Sequence, residues 1–401
     1  MIFGSILAVF GDILLSQKKM RDQRLSERNT MSSNQNIAWV DFDTLKKFIT
    51  DVFLGLGVPP DDAAICADVL VAADKRGIDS HGINRLKMIY YDRIRAGIIN
   101  PVTRLEVVRA GLATAVIDGH NGMGQVIAYR SMRMAMDKAK KYGLGMVAVR
   151  NSNHYGIAGY YALMAAAEGM IGITGTNARP SIAPTFGVEN MLGTNPLTFA
   201  MPTDESFPFL LDCATSVTQR GKIEVYAKAG KNVPPGWVID EQGQSQTDAN
   251  QILKDLVAGT AALTPLGGVG EETAGYKGYG YAAVVEILSA ALQQGSYLKM
   301  LLGFKDGRKT PYSLGHFFIA IDIAAFTELS DFKKTAGDIL RTLRTSRKMP
   351  GAKRIYTAGE KEYLVWQERK DKGAPLNATL RNEIRKMVAE LDLKGAPFSF
   401  L

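Results

Sequence analysis

From Val40 onward the chain alternates apolar and polar positions at helical spacing. DFDTLKKFITDVFLGLG places its apolar residues on one side of a 3.6-residue repeat and stops at a glycine. DDAAICADVLVAADKRG repeats the design, with Asp61 or Asp62 set to cap the helix start and Gly77 to end it. IDSHGINRLKMIYYDRIRAG reads as a third helix capped by Asp79 or Ser80. The first hundred residues are therefore expected to form a helical unit.

The middle of the chain changes rhythm. TAVIDG, GMVAVRN and MIGITGTN are short apolar runs with the look of strands, separated by the helical stretches QVIAYRSMRMAMDKAKKYG and GIAGYYALMAAAEG. Such alternation predicts an α/β layer on one sheet. LTFAMP and FPFLLDCATS add two strands, residues 230–275 read as loops and turns, and KGYGYAAVVEILSAALQQG returns to helix. Residues 303–315 read as a loop before the strand HFFIAIDI; SDFKKTAGDILRTLRTS and NATLRNEIRKMVAELDL read as closing helices.

Composition narrows the class. A chain of 401 residues ordinarily carries two folding units, and 46% hydrophobic with 22% charged residues is ordinary for a water-soluble protein. Cys66 and Cys213 lie far apart, so neither a disulfide framework nor a zinc site is expected, and a reducing compartment is the default. Residues 333–401 carry 16 Lys/Arg against 8 Asp/Glu, which accounts for the whole net charge of +8. Those charges are interleaved as in KEYLVWQERKDKG, which fits a solvated helical surface and not a nucleic-acid stripe. The apolar start MIFGSILAVFGDILL is too short to span a membrane. Met31 opens a second plausible start, so residues 1–35 are expected to be an extension outside the fold.

Histidine is scarce, and its four positions focus the search for chemistry. His81 in DSHGINR has Arg85 four residues on, a spacing that puts both side chains on one helical face. A guanidinium can clamp a carboxylate while an imidazole exchanges a proton with the neighbouring oxygen; a local hydrogen bond and a surface ion pair explain the same spacing. His154 in RNSNHYG follows a strand, where α/β sheets gather ligands, though Asn, Ser and Gly also populate ordinary turns. His120 lies in DGHNGMG, whose Gly119, Gly122 and Gly124 are in the wrong order for a Rossmann fingerprint. His316 reads as a strand-edge residue. Asp212 ends the strand of LLDCATS and could orient an imidazole or bind a ribose. Lys277 follows the glycine-rich GGVGEETAG at a helix start, an arrangement suited to a pyrophosphate or merely to a solvated loop. No metal-ligand spacing and no G-x-S-x-G elbow is present.

Taken together, RGIDSHGINR, IRAGIINP, NSNHYGIAGYY, MLGTNPLTFAMP, LLDCATS, GYKGYGYA and GHFFIAIDI resemble the type-2 malate/lactate dehydrogenase family over roughly residues 37–395. The resemblance implies an α/β fold without a Rossmann domain, in which a mixed sheet with helices is joined by a helical domain built from both ends of the chain. Residues 36–112 with 316–401 would form the substrate-side unit and 113–315 the NAD(P)-binding unit. It implies an NAD(P)-dependent dehydrogenase acting on a 2-hydroxy or 2-oxo acid, foremost malate and oxaloacetate, with NAD as cofactor and NADP an alternative. Another oxo acid or a cyclic imine is the runner-up substrate, and a silent cofactor-binding protein the reading from a different class. His81 would be the proton donor or acceptor, a role some relatives give to His154, with Ser80 and Arg85 in the substrate pocket. His154, Asp212, Ala214, Thr215, Ser216, Lys277, Gly359, Glu360 and Lys361 would contact the cofactor. A cytoplasmic homodimer without nucleic-acid or membrane partners is expected, with targeting by residues 1–35 left open.

Overall fold

The computed structural model describes residues 37–394, so the expected extension lies outside the described residues. Helix α1 (Phe42–Gly55) opens on Asp41, whose carboxylate accepts the Thr44 N–H at 2.8 Å, a cap worth about 1 kcal/mol. Helix α2 (Pro60–Lys75) instead starts on a proline and has no side-chain cap. Asp62, one of the expected caps, is buried and paired with Arg130 at 2.5 Å.

The third expected helix is broken. Turns give way to a 3₁₀ turn (Ile83–Arg85), a π-helical stretch (Leu86–Tyr91) and a single α turn (Asp92–Arg95). The buried Asp74 carboxylate accepts the Ile83 N–H at 2.9 Å, and neither Asp79 nor Ser80 caps the segment. A side chain that captures a backbone donor competes with regular helix, and π turns concentrate at functional sites.

This segment packs into one core with the C-terminal end of the chain. Leu45, Phe48, Phe53, Leu70, Ile83 and Tyr90 lie buried with Leu376, Leu380, Ile384 and Met387. Strand β1 (Ala38–Val40) pairs antiparallel with β13 (Ala374–Leu376), which leads into α10 (Ala378–Glu390). Both ends of the described chain thus close on each other.

Seven strands form the central sheet in the order β2-β3-β4-β12-β5-β6-β7. They are β2 (Glu106–Ala110), β3 (Thr114–Asp118), β4 (Leu144–Ser152), β5 (Met170–Thr176), β6 (Leu197–Met201), β7 (Phe209–Cys213) and β12 (Leu314–Asp322). β3 and β4 are parallel, joined by α3 (Gly124–Tyr142); the other neighbouring pairs are antiparallel. β12 arrives from late in the chain and inserts between β4 and β5, so that His316 faces Val149 on one side and Thr176 on the other. Its unbroken apolar run suits a strand covered on both faces. The chain leaves the sheet after Asp322, so a boundary drawn at 316 falls inside a strand. β2 escaped the sequence reading because its five residues are all exposed at the sheet edge and show no alternation.

Residues 230–275 are more ordered than their polarity implied. They contain β8 (Val238–Asp240), α6 (Ala249–Ala258) and β9 (Ala261–Leu263). Asp248 caps α6 by accepting the Asn250 and Gln251 N–H groups, and Gly259 ends it at φ +83°. Val238, Ile252 and Leu263 share a small core with Ile223 of α5 (Arg220–Lys228) and Ala282 of α7 (Gly275–Ala290). The loop expected over 303–315 holds a tight hairpin of β10 (Phe304–Lys305) and β11 (Arg308–Lys309), and its last two residues already belong to β12. Helices α4 (Ala158–Ala167), α8 (Leu329–Thr345) and α9 (Glu360–Arg369) complete the fold.

Candidate active site

The carboxyl end of β4 delivers His154, and the irregular segment after α2 delivers His81 beside it. Their rings stack 5.8 Å apart with planes 20° from parallel. Tyr90 reaches Nδ1 of His154 at 2.6 Å, and the Gly156 N–H points at the same nitrogen at 3.3 Å. An N–H only donates, so Nδ1 is an acceptor and the neutral ring carries its proton on Nε2. Nδ1 of His81 shares a hydrogen bond with Ser80 Oγ at 2.9 Å.

Both imidazoles are held uncharged. Burial, then the nearby Arg85 guanidinium, lowers His81 to about 4. Burial, followed by His81 and Arg85, pushes His154 well below its ordinary value. Arg85 Nε donates to the Ser80 carbonyl at 2.6 Å, and no carboxylate among the described residues pairs with this guanidinium. An uncompensated cation beside two neutral bases is a place for an acid.

The carboxylate of Asp74 lies under this turn. It is fully buried, and desolvation raises its pKa to about 8, so it is protonated at neutral pH. A Cβ on Gly82 would collide with it, which ties the SHG turn to a residue lacking a side chain.

Asp212 does not orient an imidazole. Its oxygens accept the Gly159 N–H at 2.7 Å and the Thr198 hydroxyl at 2.9 Å, so it braces the first turn of α4 and touches neither imidazole. Beside it lies a cavity of about 310 Å³ lined by Leu211, Tyr356, Gly359, Lys361 and Glu362. Gly359 has φ +88° there, and a Cβ would press within 3.0 Å of the Pro208 carbonyl and the Leu210 amide. Glu360, expected beside them, does not line this cavity: it is buried, accepts the Thr357 N–H at 3.0 Å and pairs with Arg354, while Gly359 and Lys361 on either side do line it. A second cavity, about 460 Å³, shares Leu210, Gly359 and Glu362 and adds Lys75 and Arg76.

Ala214, Thr215 and Ser216 continue from β7. The Leu266 N–H donates to the Thr215 carbonyl at 2.7 Å, and a Cβ on Gly278 would collide with the Leu266 backbone. The glycine spacing in α7 therefore brings the exposed Lys277 toward the same region as Thr215 and Ser216.

The other histidines stand apart. His120 pairs with Glu106 at 2.8 Å in a loop, and His316 is buried, bonded to Thr176 at 2.7 Å and stacked on Tyr155 at 4.5 Å. Sequence reasoning missed Tyr90, Asp74 and Arg76. The signals for the last two were a carboxylate inside the apolar run VLVAADK and a cation closing α2; nothing local marks Tyr90.

A guanidinium without an acid partner beside two neutral imidazoles has the chemistry of an oxidoreductase interconverting 2-hydroxy and 2-oxo acids. The chain belongs to the malate/L-lactate dehydrogenase family, whose profile matches residues 40–385. It is 45% identical to a malate dehydrogenase of Pyrococcus horikoshii over 362 residues, covering 90% of this chain and 98% of that one. It is 38% identical to an L-sulfolactate dehydrogenase of Methanocaldococcus jannaschii over 353 residues, 87% of this chain and 96% of the other. The fold superposes on the crystal structure of malate dehydrogenase from Entamoeba histolytica with a TM-score of 0.87 at 46% identity, covering 90% of this chain and all of that one.

Proposed function

We propose that the protein interconverts malate and oxaloacetate with NAD as its cofactor. The stacked pair of neutral histidines beside the unpaired Arg85 carries the reading. Arg85 takes the carboxylate next to the reacting carbon, as a planar fork can. His81 exchanges the proton at the 2-oxygen; burial and Arg85 hold its pKa at about 4 in the free protein, and bound negative charge beside Arg85 can bring it into range. His154, fixed at Nδ1 by Tyr90 and Gly156, lines the nicotinamide side of the pocket.

The residues near Asp212 fit a nicotinamide dinucleotide. The cavity volumes lie in the small-molecule range of roughly 300–1,000 Å³, and the glycine at 359 admits close approach of a ligand to backbone. Arg76, Lys277 and Lys361 would hold the phosphates, while Ala214, Thr215, Ser216 and Gly359 would present backbone groups. The carboxylates of Asp212 and Glu362 favour a ribose hydroxyl over a second phosphate, which supports NAD over NADP. When bound, the nicotinamide supplies or accepts the hydride.

The helical unit from both chain ends would then carry His81 and Arg85 toward the substrate, and the cofactor would meet residues of both units. A homodimer is supported by the exposed Tyr276, Tyr279, Tyr281, Val284 and Ile287 on α7, an apolar face of the sort subunits cover. The unbridged Cys66 and Cys213 agree with a cytoplasmic setting. Among the described residues no helix is long and apolar enough to cross a membrane.

The test is absorbance at the reduced-nicotinamide band with oxaloacetate and NADH, then NADPH. Rapid oxidation that favours NADH and falls about 10²–10⁴-fold in His81→Ala is the expected result. Inertness toward oxaloacetate with both coenzymes would overturn the reading.

A further inference from the structure

Arg85 is not the only uncompensated cation at this end of the sheet. Arg93, on the α turn that follows the π-helical stretch, lies with its guanidinium 3.6 Å from the ring centroid of Tyr312. No carboxylate among the described residues pairs with it, or with the exposed Arg179. Other arginines that pack against the fold do meet an acid, among them Arg95, Arg130, Arg150, Arg341 and Arg369.

Strand register brings the unpaired group together. Leu314 pairs with Ser152, so Tyr312 precedes β12 at the end where His154 follows β4. His316 pairs with Thr176, and the Gly315 N–H donates to Asn177 Oδ1 at 2.8 Å, which sets Arg179 just beyond the same end of β5. The electrostatics agree with this placement. Burial lowers the pKa of Arg93 first; Tyr312 raises it, and Arg179 lowers it. Arg93 in turn is one of the cations disfavouring charge on His154.

One carboxylate neutralises one guanidinium. A lactate-like substrate bound at Arg85 would leave the half-buried Arg93 and its neighbour Arg179 without a counter-charge, at an energetic penalty for Arg93. Tyr312 gives Arg93 a flat seat that fixes the direction of its donors.

We infer that Arg93, seated on Tyr312 and seconded by Arg179, receives a second acid group on the substrate and selects 2-oxo and 2-hydroxy diacids over monoacids. This rests on the functional reading above and names the residues that set its preference for a second acid group. The distal group is a carboxylate or a sulfonate, since both present oxygens to a guanidinium fork.

The experiment compares kcat and KM for oxaloacetate, sulfopyruvate and pyruvate in the wild-type protein, Arg93→Gln, Arg93→Lys and Arg179→Gln. The wild type should prefer the two diacids to pyruvate, and the better of the two identifies the distal group as carboxylate or sulfonate. Arg93→Gln should lower kcat/KM for the preferred diacid about 10–100-fold, chiefly through KM, as expected on losing a charged hydrogen bond. Its diacid-to-pyruvate ratio should collapse, and Arg93→Lys should restore part of it. Arg179→Gln, at an exposed position, should lower the same ratio by a smaller factor, and it tests the inference even if Arg93→Gln does not fold. Equal losses on diacids and pyruvate, or unchanged ratios, would overturn the inference while leaving the oxidoreductase intact. A wild-type protein inert on all three acids would overturn the functional reading itself.

Discussion

The hydroxyl of Tyr90 lies 2.6 Å from Nδ1 of His154, across 64 residues of sequence, and with the Gly156 N–H it fixes which nitrogen of that imidazole carries the proton. Tyr90→Phe keeps the ring that packs edge-on to Phe53 at 6.0 Å and removes only the hydroxyl. The expected outcome is a roughly 10-fold lower kcat, with KM and melting temperature little changed. Steady-state kinetics alongside thermal unfolding checks it; a large fall in melting temperature with normal kcat would assign Tyr90 to the core alone.

Reduction of an oxo acid consumes a proton, so its rate should decline as pH rises through the pKa of the donor. For His81 in the free protein that value is about 4, and kcat/KM for oxaloacetate should fall across the neutral range. In the complex the substrate's negative charges oppose Arg85 and raise the imidazole. The limb in kcat should therefore lie at least about one pH unit above the limb in kcat/KM. Profiles from pH 5 to 9 decide the matter, and coincident limbs would remove His81 from the role of acid.

Asp74 gives a stability signature of its own. Its folded pKa is raised from 3.8 to about 8 by burial, so the stability it contributes is full below pH 3.8 and is lost as pH rises through 8. Asp74→Asn mimics the protonated form and should remove this alkaline decline, on the order of a few kcal/mol. Burial acts in the opposite sense on His81 and His316, held at about 4 and about 3 against an ordinary 6.5. Their contribution is full above pH 6.5 and is lost as pH falls toward those values, in wild type and variant alike. Urea unfolding at several pH values measures both limbs.

Arg76 closes α2 inside the larger cavity, donates to the Ala72 carbonyl at 2.9 Å, and makes no close ion pair among the described residues, Asp212 and Glu362 acting on it only from farther off. A half-buried cation in that position is suited to a phosphate. Arg76→Gln should raise the dissociation constant for NADH about 10-fold, read from the fluorescence of the bound coenzyme, while kcat at saturation changes little. Unaltered NADH affinity would place the phosphates elsewhere.

The sequence carried the residue types of the site more faithfully than their geometry. His81 and Arg85 do meet, but through a turn and a hydrogen bond to the Ser80 carbonyl; the helical face inferred from their spacing does not exist, because Asp74 takes the Ile83 N–H. The stacking of His81 on His154 depends on packing between the helical unit and the sheet, which no local pattern encodes. Asp212 was legible as a strand-end carboxylate, whereas its use as a brace for Gly159 depends on where α4 begins. In the fold, apolar runs located β3, β4, β5 and β12 well. Helix α6 was passed over although Asp248 and Gly259 mark its two ends, since the surrounding polarity masked the signals.

The position of β12 has a consequence for how the protein is made. β4 and β5 leave the ribosome early, yet they have no bonds to each other and remain open-edged until a strand some 140 residues later slides between them. A nascent chain halted before Leu314 carries two apolar edges facing an empty slot, the form of surface that recruits other strands. Synthesis of this protein is therefore a race between completing the seam and aggregating, and the last strand, β13, must still return to β1 before both ends are secured.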